Sequence, residues 1–422
     1  MKTIRLGEHG ILTEYLQLAL SRAGYPTTVD GIFGEDTCRA LRDFLSNREL
    51  GCEVTEEIWE RLVPYLKGYT RHTVVKGDTL YKLAGYYRTR EERIFTANPK
   101  VDANRLSIGT ELVIPFDFPV VPTDVRYSSL LNEYIIEGLA ARYPFLHSSS
   151  IGKSVMGRPL QQLSIGYGAT QVFYNASFHA NENITTPVLL KFAEEYADAF
   201  SKKERLYGAD AQTLFARYEL KLVPMVNPDG VDLVNGFLTE GPYYALAAEI
   251  AKNYPDIPFP SGWKANIEGV DLNLQFPAGW ELARRTKYAQ GYTMPAPRDF
   301  VGEKPLSAPE SMAIYNFTRE NDFRLVLAYH TQGEVIYWKY QDYNPKNSRQ
   351  IAQYFSMVSG YAVEETPLAS GYAGYKDWFI MAYNRPGYTI EAGLGKNPLP
   401  MNRFAQIYED NKGILLGGMT QI

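Results

Sequence analysis

Two histidines and a glutamate are the residues of this chain whose types and spacing could hold a metal ion. His179 is followed three residues later by Glu182, a spacing that lets an imidazole and a carboxylate converge on one ion. His330 follows a second apolar run, and the chain has only five histidines. Two histidines and one carboxylate leave one position of a zinc tetrahedron open, which is the arrangement of a catalytic site. We therefore predict one Zn²⁺ per chain, held by these three side chains.

A hydrolytic zinc site also needs a proton acceptor, and Glu391 is the candidate. This carboxylate ends the strand-like run 387–391, two residues before Gly393. Buried carboxylates are seldom left without a partner or a task. Taken alone, a general base and a partner in a structural salt bridge are equally good interpretations of Glu391. Because zinc lowers the pKa of its water to about 7 and polarises carbonyl groups, the first interpretation predicts amide hydrolysis.

The candidate residues follow apolar runs that are typical of buried strands. Such runs at 172–178, 220–226 and 325–329 alternate with amphipathic segments such as 186–200. This alternation predicts a large α/β domain with a largely buried sheet over residues 123–422. Active sites collect at the carboxyl ends of strands in such sheets, so we expect His179 and His330 to meet at one edge.

Residues 1–67 contain three stretches in which apolar residues recur at helical spacing, at 12–19, 40–45 and 58–66. They predict a small all-α bundle, with tight-turn chemistry at 29–34 between its first two helices. The run from Leu16 to Phe44 resembles the peptidoglycan-binding domain found beside many wall hydrolases. The resemblance covers nearly the whole of this module.

Residues 70–116 predict a second small module, of the α+β type, with two helices between two strands. The strands are expected at 72–75 and 111–114, and the helices near 80 and 94–98. The runs 74–84, 98–100 and 108–115 resemble a LysM domain, which implies binding to the N-acetylglucosamine-containing glycan of peptidoglycan or chitin. His72 lies in the first strand and is interpreted as structural. The proline-punctuated segment 117–122 is predicted to be a linker.

Composition and charge exclude several partners. The net charge is −5 on 422 residues without a long like-charge run, so we expect no nucleic-acid or anionic-membrane partner. The first thirty residues lack the basic start and apolar stretch of a secretory signal. We therefore expect a cytoplasmic protein, for example in a sporulating cell or forespore. Cys38 and Cys52 are expected to be free thiols in a reducing compartment.

The large domain resembles the zinc carboxypeptidase family typified by pancreatic carboxypeptidase A. The matching stretches occur in family order and are Gly-Arg-Pro-Leu at 157–160, His-Ala-Asn-Glu at 179–182, Val-Asn-Pro-Asp-Gly at 226–230, Gly-Val-Asp-Leu-Asn at 269–273, Pro-Leu-Ser-Ala-Pro-Glu at 305–310, Tyr-His-Thr-Gln-Gly at 329–333, Asp-Trp at 377–378 and Thr-Ile-Glu at 389–391. The resemblance implies a central mixed sheet flanked by helices. It also implies that His179, Glu182 and His330 are the metal ligands and Glu391 the catalytic base.

The chain departs from this family pattern at three positions. Leu274 stands where classical exopeptidases have an arginine that clamps the substrate's terminal carboxylate. Lys264 stands where the family has a carbonyl-polarising arginine, so we expect it to face the developing oxyanion. The family's substrate-capping tyrosine falls near Ala369 by spacing, and Tyr372 and Tyr375 are the nearest candidates.

The motif at 269–277, together with the two glycan-binding modules, resembles the bacterial endopeptidases that cleave the bond between γ-D-glutamate and a diamino acid, meso-diaminopimelate or lysine, in peptidoglycan. The implied mechanism uses zinc-activated water with Glu391 as base and then acid. Asn273 and Tyr372 are assigned to substrate binding, and Arg298 is proposed to replace the lost arginine. Two alternatives remain open, an ordinary metallocarboxypeptidase acting on protein C-termini and a non-catalytic peptidoglycan-binding protein.

Overall fold

The structure is a computed structural model that describes residues 1–47, 51–103, 105–367 and 370–422. The chain divides into two compact units. The first comprises residues 1–126 and 133–147, and the second comprises residues 127–132 and 148–422. Both small modules predicted from the sequence fall within the first unit, so their boundaries and the linker 117–122 stay predictions.

The helical module of the first unit is a three-helix arrangement with a short ribbon. Its elements are β1 (Ile4–Arg5), α1 (Ile11–Arg22), α2 (Glu35–Leu45), β2 (Glu53–Val54) and α3 (Glu56–Lys67). The strands β1 and β2 pair antiparallel. Leu16, Leu41, Trp59 and Leu62 are buried between the helices. The predicted three-helix bundle is therefore observed. The ribbon was not predicted, because its strands are only two residues long and leave no pattern in the sequence.

The expectation of free thiols is wrong, because Cys38 and Cys52 form a disulfide with their Cα atoms 5.4 Å apart. Cys38 lies on the buried face of α2, and Cys52 lies just before β2. The pairing of β2 with β1 returns the chain to the bundle and brings the two sulfur atoms together. The number and spacing of cysteines in the sequence do not show that the chain folds back in this way.

The second module of the first unit has the predicted strand–helix–helix–strand order. Its elements are β3 (Tyr69–Thr73), α4 (Leu80–Tyr87), α5 (Glu91–Ala97) and β4 (Glu111–Pro115), with β3 and β4 antiparallel. The Thr79 side chain caps α4 by accepting a hydrogen bond from the Lys82 N–H. His72 is structural, as interpreted, since its Nε2 lies 2.8 Å from Asp78 Oδ2 and its Nδ1 lies 3.0 Å from the Tyr87 hydroxyl.

The remaining strands belong mainly to the second unit. They are β5 (His147–Lys153), β6 (Pro159–Ile165), β7 (Thr170–Ala176), β8 (Arg205–Leu206), β9 (Ala209–Asp210), β10 (Tyr218–Val223), β11 (Phe323–His330), β12 (Val335–Tyr337), β13 (Ala362–Glu364) and β14 (Gly387–Glu391). Among the residues that the structure describes, eight of these strands form one sheet in the order β13-β12-β14-β11-β7-β10-β6-β5. The pairs β14-β11, β11-β7 and β7-β10 are parallel, whereas β12-β14 and β10-β6 are antiparallel. The sheet is therefore mixed, as the resemblance implied.

Helices flank this sheet. They are α7 (Thr185–Lys202), α8 (Ala211–Arg217), α9 (Pro228–Val234), α10 (Pro242–Lys252), α11 (Trp280–Ala289), α12 (Pro309–Arg319), α13 (Ser348–Ser359), α14 (Tyr375–Tyr383) and α15 (Phe404–Thr420). A further helix, α6 (Ser129–Arg142), belongs mainly to the first unit. Phe173, Val326 and Leu327 on the central strands are fully buried, as the apolar runs predicted. Within the described ranges, no helix combines the length and apolar character needed to cross a bilayer.

A buried polar network fixes the loops around the sheet edge. Arg158 follows Gly157, whose φ of 80° suits the turn between β5 and β6. Its guanidinium lies 2.9 Å from Asp229 Oδ1 and 3.0 Å from Asp232 Oδ2, and both carboxylates have fully buried side chains. Burial raises the pKa of Asp232 to about 6, although Arg158 acts in the opposite direction. The guanidinium is therefore the charge that offsets two buried carboxylates.

We expect Arg158→Met to lower the free energy of unfolding by about 3 kcal/mol, because two buried carboxylates lose their partner. The loss should be larger at pH 8 than at pH 5, since the unpaired carboxylates can take up protons at the lower pH. Urea denaturation followed by near-ultraviolet circular dichroism measures both effects. Arg324→Met is the control, because Arg324 and its partner Asp322 are half exposed and should contribute under about 1 kcal/mol. Equal losses in the two variants would contradict the network.

Candidate metal centre

The three predicted metal ligands meet at the carboxyl edge of the sheet. His179 follows β7 by three residues, Glu182 ends a one-turn 3₁₀ helix at Ala180–Glu182, and His330 is the last residue of β11. One ligand atom from each residue lies within 4.8 Å of the others. Both imidazole rings face the cluster with their Nδ1 atoms, which lie 3.2 Å apart. Parallel pairing of β7 with β11 explains the meeting, since it brings both strand ends to one edge.

Glu182 is the centre of this cluster. Its Oε1 lies 2.9 Å from His179 Nδ1 and 2.8 Å from Lys264 Nζ, and its Oε2 lies 2.9 Å from His330 Nδ1. The backbone N–H of Thr331 also donates to Oε2. Burial alone would raise the pKa of this carboxyl, but His179 and Lys264 hold it well below its usual value. Glu182 is therefore ionised, as a metal ligand must be.

His179 contacts a second carboxylate on its far side. Its Nε2 lies 3.2 Å from Asp271 Oδ1. Burial by itself lowers the pKa of His179, but the carboxylates of Glu182 and Asp271 outweigh burial and raise the pKa to about 9. A carboxylate behind a histidine fixes the ring and makes its inward nitrogen a better metal ligand. Asp271 is thus part of the site.

His330 is held by Asn273 on the side away from Glu182. The Nδ2 of Asn273 lies 3.4 Å from His330 Nε2, and its Oδ1 accepts a hydrogen bond from the backbone N–H of Tyr375. Burial lowers the pKa of His330, which favours the neutral imidazole that binds metals. In this structure Asn273 therefore positions a histidine, and its predicted role in substrate binding stays a prediction.

Glu391 stands beside His330 on the neighbouring strand. The two residues are paired across β11 and β14, so their side chains project to the same face of the sheet. The pKa of Glu391 is raised to about 8, mainly by burial. The Glu182 carboxylate acts in the same direction, whereas Lys264 and His179 act against it. A carboxyl with a raised pKa is suited to take up and release a proton near neutral pH.

Lys264 lies within the site, on the loop that the 179–182 segment contacts. The backbone N–H of Ala180 donates to the Lys264 carbonyl oxygen, and Asn227 Nδ2 donates to the Ala265 carbonyl oxygen. Gly230 lies against the same loop, where a Cβ would approach the Ala265 oxygen to 2.8 Å. This packing places the Lys264 ammonium against Glu182 and in the field of Glu391.

His179, His330 and Glu391 line one cavity of about 210 Å³. Side chains of both charges share its wall. The cations are Lys264, Lys287, Arg298 and Lys376, and the carboxylates are Asp271, Asp299, Asp377 and Glu391. A cavity with convergent charged groups of both signs is suited to a zwitterionic or carboxylate-bearing substrate.

Arg298 is the cavity cation with the most remaining hydrogen-bond capacity. Its Nε lies 2.5 Å from Asp299 Oδ2, while Lys287 Nζ lies 2.5 Å from the other oxygen of Asp299. In the part of the chain that the structure describes, the two terminal nitrogen atoms of the guanidinium have no partner. Its side chain is 42% exposed, so a carboxylate can reach these nitrogen atoms from the cavity.

Leu274 cannot hold a substrate carboxylate, because it packs in an apolar cluster with Trp280, Val301 and Ala373. Tyr372 packs against the same cluster and is not among the described residues that line the cavity. Tyr375 is fully buried, with its hydroxyl 3.0 Å from Thr318 Oγ1, so it is excluded as a capping residue. Ala369 lies outside the described residues. The role of Tyr372 therefore stays a prediction.

Sequence reasoning missed several groups of this site. Asp271 lay within the Gly-Val-Asp-Leu-Asn motif, and the signal was its place two residues before Asn273. The ion pairs Lys287–Asp299 and Lys376–Asp377 gave no signal that separates them from surface charges. Their side chains are nearly buried, which only the folded chain reveals.

The donor atoms fit a divalent cation such as zinc. Two imidazole nitrogen atoms and a carboxylate are the donor set of catalytic zinc sites, and here a carboxylate lies behind one histidine and an amide behind the other. The two inward nitrogen atoms face each other at 3.2 Å around the same carboxylate. A cation among these atoms gives all three a common partner and offsets the charge of Glu182.

Family models match most of the chain. The model described as zinc carboxypeptidase matches residues 133–413, and the model described as LysM domain matches residues 72–115. The first match contains every residue of the proposed metal centre. The second coincides with the strand–helix–helix–strand module, which confirms the interpretation of that module as LysM.

Two sequence relatives and two solved structures are similar to this chain. The gamma-D-glutamyl-L-diamino acid endopeptidase 1 of Lysinibacillus sphaericus is 46% identical over 69% of this chain and 72% of its own length. A zinc carboxypeptidase of Saccharothrix mutabilis subsp. capreolus is 30% identical over 32% of this chain and 30% of its own length. Carboxypeptidase A from Helicoverpa armigera has a TM-score of 0.54 at 19% identity, over 91% of this chain and 94% of that one. Thrombin-activatable fibrinolysis inhibitor has a TM-score of 0.56 at 15% identity, over 84% and 98%. These two structures share the fold.

We expect Asp271→Asn to weaken zinc binding roughly 10- to 100-fold, because the amide removes the charge behind His179. Competition with a chromophoric chelator measures the dissociation constant directly and does not depend on turnover. Asp256→Asn, at an exposed position, is the matched control and should leave the constant unchanged. Equal affinity in the two variants would show that Asp271 does not support the metal centre.

Proposed function

The chain belongs to the zinc carboxypeptidase family, and from that premise we propose that it hydrolyses the bond between γ-D-glutamate and a diamino acid in peptidoglycan stem peptides. The diamino acid is meso-diaminopimelate or lysine. One observation carries the proposal, namely that His179, Glu182 and His330 converge beside the buried carboxyl of Glu391. The 46% identity to a γ-D-glutamyl–diamino acid endopeptidase supports the choice of bond.

Zinc is the metal that we propose for this site, held by His179 Nδ1, His330 Nδ1 and the Glu182 carboxylate. When bound, it supplies Lewis-acid polarisation of the amide carbonyl and lowers the pKa of water. The buried strand ends, together with Asp271 behind His179 and Asn273 behind His330, hold these donors in place before any substrate enters.

Glu391 performs the proton transfers in the proposed reaction. Its carboxylate takes a proton from the attacking water, whose oxygen forms a bond to the amide carbon. As the carbon–nitrogen bond breaks, Glu391 gives that proton to the amine of the diamino acid. The products are a γ-carboxyl group on D-glutamate and a free amino group. A pKa raised to about 8 in the metal-free site makes Glu391 basic enough for the first step, and a nearby cation lowers that value toward neutrality.

Lys264 is proposed to stabilise the negative charge that develops on the carbonyl oxygen. Its side chain lies at the cavity wall between Glu182 and Glu391 and is 19% exposed. A fixed ammonium at this place lowers the energy of the oxyanion without reorganising solvent. It offers less directional bonding than the guanidinium that the family has at this position.

Arg298 is proposed to bind the free α-carboxylate of D-glutamate. The buried Leu274 cannot provide the clamp that exopeptidases use for a C-terminal carboxylate, which weighs against an ordinary carboxypeptidase. The terminal nitrogen atoms of Arg298 are the described cavity donors with capacity for a bidentate contact. A γ-linked glutamate differs from an ordinary peptide because the residue whose side-chain carbonyl is cleaved still carries a free α-carboxylate.

The modules of the first unit are proposed to hold peptidoglycan or its fragments near the catalytic unit. A LysM domain suggests binding to an N-acetylglucosamine-containing glycan. Because the glycan and the stem peptide are covalently joined, binding one of them raises the effective concentration of the other. Intact muropeptides should therefore be better substrates than isolated stem peptides.

We expect Glu391→Gln to retain zinc and to lose turnover by roughly 10²- to 10⁴-fold, since the amide cannot accept the proton. The substrate is L-Ala-γ-D-Glu-meso-diaminopimelate, with products followed by mass spectrometry and zinc by elemental analysis. Glu320→Gln, at an exposed helix end, is the control and should behave as the parent protein. Full activity of Glu391→Gln would refute the assignment.

Treatment with a chelator should abolish activity in the parent, and added zinc should restore it.

We expect Arg298→Gln to lower kcat/KM about tenfold or more on the γ-D-glutamyl substrate, because a charge-assisted hydrogen bond is lost. Converting the α-carboxylate of the substrate to an amide should lower kcat/KM of the parent protein by the same factor. For the variant, this conversion should cause no further decrease in kcat/KM. Arg403→Gln, at an exposed position, is the control. If the amide substrate loses equally with parent and variant, Arg298 does not contact the α-carboxylate.

A further inference from the structure

Two stacked tyrosines lie on the surface of the catalytic unit, on the loops that follow α10 and α11. The rings of Tyr254 and Tyr292 have centroids 5.8 Å apart and planes 15° apart. Tyr254 comes two residues after the end of α10, and Tyr292 comes three residues after the end of α11. Both are partly exposed, and we call them the tyrosine pair. The proposed reaction uses neither of them.

Hydrogen bonds connect the tyrosine pair to the wall of the catalytic cavity. The Tyr254 hydroxyl donates to the Met294 carbonyl oxygen at 3.3 Å, and the backbone N–H of Tyr292 donates to the Lys287 carbonyl oxygen at 3.0 Å. The Lys287 side chain lines the cavity, where its Nζ lies 2.5 Å from Asp299 Oδ1. The other oxygen of Asp299 holds Arg298. The last turn of α11 therefore joins the tyrosine pair to the Arg298 end of the cavity.

Electrostatics also place Tyr292 beside Arg298. Burial lowers the pKa of Arg298, but Asp299, Asp271 and the phenolate form of Tyr292 outweigh burial and raise that pKa. Charges near a protein surface act on one another mainly within about 10 Å at ordinary ionic strength. The Tyr292 ring is therefore a neighbour of the guanidinium group that we propose to bind the α-carboxylate of D-glutamate.

The covalent structure of a stem peptide determines which part of the substrate lies beyond Arg298. The α-carbon of γ-linked D-glutamate carries both the α-carboxylate and the amide nitrogen that joins it to L-alanine. If Arg298 holds that carboxylate, the chain toward L-alanine leaves the cavity beside Arg298. One alanine and the lactyl group then span about 7 Å when extended, after which the muramyl ring begins. This distance suits the tyrosine pair.

We propose that the tyrosine pair binds the pyranose ring of the muramyl residue to which the stem peptide is attached. The carboxyl group of this muramyl residue is consumed in its amide bond to L-alanine, so the sugar is neutral and a site without charge suits it. Tyrosine rings offer apolar faces for a pyranose, and their hydroxyl groups stay in water. Met294, which is 51% exposed, extends the apolar surface next to Tyr254. The choice of this sugar rests on the proposed function, because that function sets the orientation of the substrate.

The proposed site gives the catalytic unit a means of recognising sugar that does not depend on the LysM module. A stem peptide that is still joined to a muramyl residue would contact both Arg298 and the tyrosine pair. A peptide already released from the sugar would contact Arg298 alone. The tyrosine pair therefore favours peptides that are still attached to the glycan.

Isothermal titration calorimetry of the full chain tests the proposal with two ligands that correspond to reaction products. The first is N-acetylmuramyl-L-Ala-D-Glu, and the second is N-acetyl-L-Ala-D-Glu. Both have the same two carboxylates and no charged amino terminus, so they differ only in the sugar with its lactyl group. Neither carries N-acetylglucosamine. We expect the muramyl ligand to bind about five- to tenfold more tightly, because it gains contacts with aromatic rings.

Tyr254→Leu and Tyr292→Leu, made separately, should each lower the ratio of the two dissociation constants toward one. Their thermal unfolding midpoints should stay within about 3 °C of the parent. Tyr167→Leu is the matched control, because Tyr167 is 74% exposed in the turn before β7, at the opposite edge of the sheet, and it should keep the parent ratio.

A ratio near one in the parent, or a parent-like ratio in both tyrosine-pair variants, overturns the proposal. The second result would mean that the sugar binds elsewhere on the chain. Neither ligand contains the scissile bond, so the result does not depend on turnover. Failure of the proposed function would appear instead as absent hydrolysis of L-Ala-γ-D-Glu-meso-diaminopimelate.

Discussion

The buried carboxylate of Glu182 is the group around which the catalytic unit is organised. Its two oxygen atoms contact both histidines, the Lys264 ammonium and a backbone N–H. Asp271 and Glu391 bring two further carboxyl groups into the same region. So many acidic groups in one buried place are stable only if positive charge accompanies them. The pKa of His179 is raised because Glu182 and Asp271 outweigh burial, and the pKa of Glu391 is raised first by burial and then by the Glu182 carboxylate. A cation bound among these groups offsets their negative charge.

The sheet and its loops position this charge cluster from several directions. The parallel strands β7, β11 and β14 bring His179, His330 and Glu391 to one edge of the sheet. The loop that carries Lys264 packs against the starts of α9 and α12, held by hydrogen bonds from Asn227 to the Ala265 carbonyl oxygen and from Asn266 to the Glu310 carboxylate. Since these contacts are buried, the donor atoms are arranged before substrate or metal enters. Preorganisation of this kind is what a hydrolytic site requires.

The meeting of His179, Glu182, His330 and Glu391 could be predicted because each lies at or just beyond the end of a buried strand, and strand ends are visible in the sequence as the limits of apolar runs. Asp271, Lys287 and Asp299 lie in loops, where no periodicity indicates which way a side chain points. The candidate Tyr375 was wrong for the same reason, because spacing along the chain does not show that its side chain turns into the core. The disulfide was missed because the ribbon that returns Cys52 to Cys38 consists of strands only two residues long.

The direct pairing of His330 with Glu391 across β11 and β14 makes activity a reporter of correct strand alignment. If either strand shifted by one residue, every side chain along it would move to the opposite face of the sheet. His330 and Glu391, which we propose as a metal ligand and the proton-transferring group, would then lie on different faces of the sheet, although a compact apolar core could still form. Chains with misaligned central strands should therefore be compact but inactive. Specific activity during refolding then reports the fraction of molecules whose sheet has formed in the native alignment.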